Sequence, residues 1–185
     1  MEEFNMTNDP KVNTTVPVTT VPVLHPAIEF TRALDQLEEE HVDLRNKLQE
    51  FLVIEEVIRL GRPNTDWFGT LRDLKGRVEF FLVELEQHAE WEEKALFPMV
   101  ANFVEESPPI IDLIEEDHRL AMQYMVAFMD ELHKSVSPIN QVEAMRIITL
   151  LMNAHQLLLE HFKGEEHYIF PLAEQIQTNI DYLSS

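Results

Sequence analysis

The chain has 185 residues, of which 45% are hydrophobic and 26% charged, with no cysteine and a formal net charge of -20. Without cysteine there is no disulfide framework, no zinc–thiolate site and no thiol nucleophile. An excess of 34 acids over 14 bases disfavours nucleic acid and anionic membranes as partners, and it favours cations.

Residues 1–23 are rich in Thr, Val, Pro and Asn and lack helical periodicity, so a flexible N-terminal arm is expected there. The acidic start, Met1-Glu2-Glu3, is unlike a signal peptide, and no apolar run is long enough to span a bilayer. The expectation is a cytoplasmic protein without membrane association. Residues 24–180 are expected to form one domain.

Four long helical patterns follow. The first covers about residues 26–59, with a stripe through Phe30, Leu34, Leu37, His41, Leu44, Leu48 and Phe51. Gly61-Arg62-Pro63-Asn64 interrupts it. The second covers about residues 66–97, through Leu71, Leu74, Val78, Phe81, Leu85, His88, Glu92 and Ala95. Ser107-Pro108-Pro109 marks the next connection. The third covers about residues 108–133, through Ile111, Ile114, His118, Ala121, Met125, Phe128 and Leu132. The fourth covers about residues 139–177, through Ile147, Leu151, Ala154, Leu158, His161, Glu165 and Tyr168, with Pro171 as a candidate kink. Alternating steps of three and four place one seam of each helix in a core. Short connections make the expected fold all-α, an up-down-up-down antiparallel four-helix bundle.

Polar residues interrupt this seam in an ordered way. His41, His88, Glu92, His118, His161 and Glu165 occupy slots otherwise taken by apolar side chains. A repeated phrase carries four of them. Residues 87–98 and 160–171, offset by 73 positions, share His-x-x-x-Glu-Glu followed by Phe-Pro. A single core histidine is usually just hydrogen-bonded, and a single His-x-x-x-Glu is usually a surface pair. Six such groups in register would be costly to bury without a common partner. An i, i+4 pair sits about 40° apart and about 6 Å along the axis, so one face presents both members. Four imidazoles and two carboxylates exceed the needs of one ion and suit two, with Glu92 and Glu165 bridging. Nitrogen and oxygen donors without thiolate suit iron, manganese or zinc.

These residues resemble the hemerythrin family, specifically its His-His-Glu cation-binding domains, over about residues 28–175. The resemblance implies a four-helix bundle holding two iron ions, oxo- or hydroxo-bridged, with the six residues above at the ligand positions. It implies a small ligand, namely oxygen, nitric oxide or peroxide, in sensing, storage or stress response. The alternative is a di-iron enzyme or an iron donor, in iron–sulfur cluster repair or in peroxide or nitric oxide detoxification. Binding is favoured over turnover. The oxygen carriers of the family have a second histidine where Met122 follows His118, and an Asp where Glu166 follows His161. The four-His, two-Glu set resembles instead the di-iron proteins of cluster repair and nitrosative stress. Those often carry a Cys-bearing N-terminal domain, whereas this chain has no Cys.

Glu38-x-x-His41 and Glu115-x-x-His118 match the pattern of ferritin-like carboxylate sites. Four histidines instead of two argue against that fold, which leaves Glu38 and Glu115 as outer or surface acids. Glu84, Glu93 and Glu166 read as solvated helix faces. Met122, Trp91 and Tyr168 read as core packing. His25, His133, His155 and His167 fall too far along or around their helices to join the centre.

Overall fold

The computed structural model describes residues 26–62, 64–102 and 109–183, and all regular structure among them is helical. The expected N-terminal arm, His25 and most of the Ser107-Pro108-Pro109 connection lie outside the described residues. Helix α1 spans Pro26–Leu60, α2 Trp67–Trp91, α3 Phe97–Ala101, α4 Pro109–Lys134 and α5 Gln141–Leu183. A π turn, Glu92–Leu96, joins α2 to α3 with helical backbone angles throughout, so residues 67–101 make one rod. Four rods therefore pack together as a four-helix bundle.

The ends of the rods are built by local chemistry. Asp66 caps α2 by accepting the Gly69 N–H at 2.9 Å. A Cβ at position 69 would lie 2.4 Å from Asp66 Oδ2, so a larger residue there would push the capping carboxylate aside. Gly61, at φ 61°, turns the chain out of α1 in the left-handed region. Gln141 then donates from Nε2 to the Ile58 carbonyl at 2.7 Å, so the start of α5 satisfies the end of α1. Asn140 caps α5, accepting the Glu143 N–H at 2.9 Å.

The π turn ends just before a proline. Pro98 has no N–H to donate, and the turn before it closes with a wider bond, Phe97 N–H to Glu92 O. Pro171 holds the matching place after Phe170, yet α5 runs on through it to Leu183.

The seams meet in two separate apolar clusters. One contains Leu44, Leu48, Phe51, Leu85, Ala121, Met125, Leu158 and Phe162, among others. The other contains Phe30, Leu37, Leu96, Phe97, Ile114 and Ile169. On each rod the polar stripe residues fall between them: His41 between Leu37 and Leu44, His118 between Ile114 and Ala121. The bundle thus holds a polar disc between two apolar blocks.

Candidate metal centre

All six polar stripe residues lie in this disc and are buried. His41, Glu92 and Glu165 are 0% exposed, His118 is 1%, and His88 and His161 are 3%. They form two overlapping groups whose potential ligand atoms lie within 4.8 Å of one another. One is His41, His88, Glu92 and Glu165, and the other is His88, Glu92, His118 and His161. Every imidazole turns Nε2 towards a carboxylate of the disc. His88 Nε2 is 2.8 Å from Glu92 Oε1, and His118 Nε2 is 3.5 Å from Glu92 Oε2. His41 Nε2 is 3.2 Å from Glu165 Oε2, and His161 Nε2 is 3.9 Å from the same oxygen.

These approaches are not hydrogen bonds. All four Nε2 atoms and all four oxygens of Glu92 and Glu165 are buried without a hydrogen-bond partner. Buried polar atoms are almost always satisfied, and leaving one unpaired costs about 1–3 kcal/mol. So many unsatisfied donors and acceptors at one point fit a cation that accepts all their lone pairs. The donor set, imidazole nitrogen with carboxylate oxygen, suits iron, manganese or zinc.

Without an ion, the disc divides its protons unevenly. Burial alone would lower the His41 pKa, but Glu165, Glu166 and Glu92 outweigh it and push it up to about 10. His88 rises to about 9 against its own burial, held by Glu40 and Glu92. His118 has no such hydrogen bond, and burial takes it down to about 4. Burial, reinforced by His118, takes His161 down to about 2. Burial and the neighbouring charge of Glu92 push Glu165 up to about 7. Burial opposes the charge on Glu92 as well, but His41 and His88 keep it well below the ordinary carboxylate range.

Carboxylates outside the disc hold the rings in place. His41 donates from Nδ1 to Glu166 Oε1 at 2.7 Å, and Arg45 donates to the same oxygen at 2.7 Å. His88 donates from Nδ1 to Glu40 Oε2 at 2.8 Å. A hydrogen on Nδ1 leaves Nε2 as the lone-pair nitrogen facing the disc. Phe162 closes one side, its ring centroid 4.4 Å from that of His41 and 5.3 Å from that of His161. The Arg45 guanidinium carbon stands 5.3 Å over the Phe162 ring. A groove of about 350 Å³ between α1 and α2 reaches His88 past Glu40, Asp43 and Glu84.

Glu166 overturns its sequence reading, since it is part-buried on His41 and Arg45 and not on a solvated face. Glu38, Glu115 and Glu93 are exposed. Glu84 pairs at the surface with Lys47. His155 is buried but belongs to neither group, and His133 and His167 are exposed. Glu40, Asp117, Arg45 and Phe162 were not singled out from the sequence. A signal for Glu40 and Asp117 exists, since each directly precedes the single histidine of its helix.

The family model of the hemerythrin HHE cation binding domain matches residues 32–173, which include the whole disc. No curated protein and no solved structure matches the chain. The family match covers most of the chain, which therefore belongs to the hemerythrin HHE cation-binding family.

Proposed function

From this family membership and the buried disc, we propose that the chain is a non-haem di-iron protein. His41, His88, Glu92, His118, His161 and Glu165 are its ligands, and Glu92 and Glu165 bridge the two ions. Bound iron would supply redox-active positions that accept a small ligand, namely oxygen, nitric oxide or peroxide, in sensing, storage or stress response. The observation that carries this reading is the convergence of unsatisfied buried nitrogens and oxygens in two groups sharing His88 and Glu92. The chain's own part is to orient the rings through Glu40 and Glu166 and to exclude water with the apolar blocks on either side. The groove past Glu40 offers a small ligand or an incoming cation an approach to His88.

The reading includes an up-down-up-down course of the helices within one domain, residues 24–180. Ion pairs support it. Glu50 pairs with Arg77, Lys47 with Glu84 and Glu40 with His88, so residue numbers rise on α1 as they fall on α2. Glu131 pairs with Arg146, while Asp117 faces His161, which gives the same relation for α4 and α5. No helix among the described residues is long and apolar enough to cross a membrane, which agrees with a cytoplasmic location. The acidic surface argues against nucleic acid as a partner.

Metal analysis of the aerobically purified protein, with its ultraviolet–visible spectrum, tests this. Two irons per chain and a melting temperature that drops on chelation are expected, since the metal ties buried groups together. A single zinc, no metal, or a melt indifferent to chelation would refute it.

A further inference from the structure

The repeat makes the two halves of the disc comparable residue by residue. His88 and His161 correspond, and so do Glu92 and Glu165, and Glu93 and Glu166. His41 and His118 are the single histidines of their helices, preceded by Glu40 and Asp117. Two kinds of outer contact should therefore occur twice. The residue before the single histidine should meet the paired histidine of the next helix. The residue five after the paired histidine should meet the single histidine of the other hairpin.

The first hairpin's histidines receive both contacts. Glu40 accepts from His88 Nδ1 at 2.8 Å, and Glu166 accepts from His41 Nδ1 at 2.7 Å. The second hairpin's histidines receive neither. Asp117 Oδ2 stops 4.0 Å from His161 Nδ1, one methylene short, and that nitrogen has no hydrogen bond. Glu93 is exposed, and His118 Nδ1 is buried without a partner. The π turn lies at this place: Glu93 sits within Glu92–Leu96, where the helix is wound more widely, while Glu166 sits on regular α-helix. The bridging carboxylate leans the same way: Glu165 Oε2 is 3.2 Å from His41 Nε2 and 3.9 Å from His161 Nε2.

Resting on the metal-binding reading above, we infer that the two cation positions are unequal. The position of His41 and His88 is the permanent one. The position of His118 and His161 is the exchangeable one, which fills last and empties first. Glu40 and Glu166 are positioning residues for the tight position: a carboxylate on Nδ1 fixes the ring and raises the basicity of Nε2. Asp117 is too short to do the same for His161.

The test is graded chelator competition on the iron-loaded full chain, repeated with zinc as a redox-silent probe. Metal per chain is followed alongside the circular dichroism of the helices. Wild type should release its ions in two steps, the first at roughly tenfold or more lower chelator concentration than the second. Glu40→Gln and Glu166→Gln should weaken the late step roughly 10–100-fold, the range for loss of an outer partner. Asp117→Glu adds one carbon–carbon bond of about 1.5 Å, which is enough to close the gap. It should delay the early step about tenfold, while Asp117→Asn should not. This gain cannot come from damage to the fold. Release in a single step, or an early step unmoved by Asp117→Glu, would overturn the inference and leave the dimetal reading standing. A wild-type chain that holds fewer than two ions would overturn both.

Discussion

Glu92→Gln is the most informative substitution, because Glu92 belongs to both groups of potential ligands. Its Oε1 lies 2.8 Å from His88 Nε2 and 3.8 Å from His41 Nε2, and its Oε2 lies 3.5 Å from His118 Nε2. Glutamine keeps the volume of this fully buried side chain and removes one negative charge. Removing one partner from a buried charged set costs about 3–5 kcal/mol. At about 1.4 kcal/mol per tenfold, that is roughly two to four powers of ten in affinity. Both ions should weaken together. Glu165→Gln should weaken the ion beside His41 more than the other, because Glu165 Oε2 lies 3.2 Å from His41 Nε2 and 3.9 Å from His161 Nε2. The assay is metal content per chain after gel filtration against a weak chelator, with helical content followed by circular dichroism. A folded Glu92→Gln protein that keeps two ions at wild-type affinity would refute the shared role of this carboxylate.

Metal uptake at pH 7 should release about two to three protons, because His41 and His88, with pKa values of about 10 and 9, and Glu165, at about 7, must give theirs up to become ligands. Affinity should therefore climb with pH and level off only above about pH 10, and calorimetry in buffers of different ionisation enthalpy would count the protons; a count of zero would exclude this protonation pattern. Both histidine pKa values lie above the ordinary 6.5, so their contribution to the stability of the metal-free form is complete below 6.5 and is lost as pH rises through 9 to 10. Phe162→Ala removes a ring that is 0% exposed and should cost about 3–5 kcal/mol. The melting temperature should then fall by roughly 6–20 °C, and an unchanged melt would contradict the packing. Asp66→Ala removes the cap of α2 and should cost about 1 kcal/mol in urea unfolding, with no change in metal content.

The six disc residues were legible because each sits in a seam that is otherwise apolar, and a seam shows within one helix. Their outer partners were not legible in that way. Glu38 and Glu115, one turn before the single histidines, read as outer or surface acids, and both are exposed. Glu40 and Asp117, directly before those histidines, lie about 100° around the helix from them, on the flank of the seam. Whether a flank residue touches the neighbouring helix depends on how the rods are rotated against each other, which no single helix's periodicity records. The π turn was hidden for a related reason. Phe-Pro occurs in both copies of the repeat, and the wider turn forms in one of them. The end of α1 was easier, since Gly61 in the Gly61-Arg62-Pro63-Asn64 break announces itself by residue type.

The polar disc also governs how the bundle comes apart. The cluster containing Leu44, Phe51, Leu85 and Leu158 and the cluster containing Phe30, Leu37, Leu96 and Ile169 each cohere on their own side of it. Between them, attraction depends on charge and lone pairs more than on apolar contact. The four rods run through the disc, but side-chain cohesion across it is only as strong as what fills it, so emptying the disc should let each apolar slab loosen on its own.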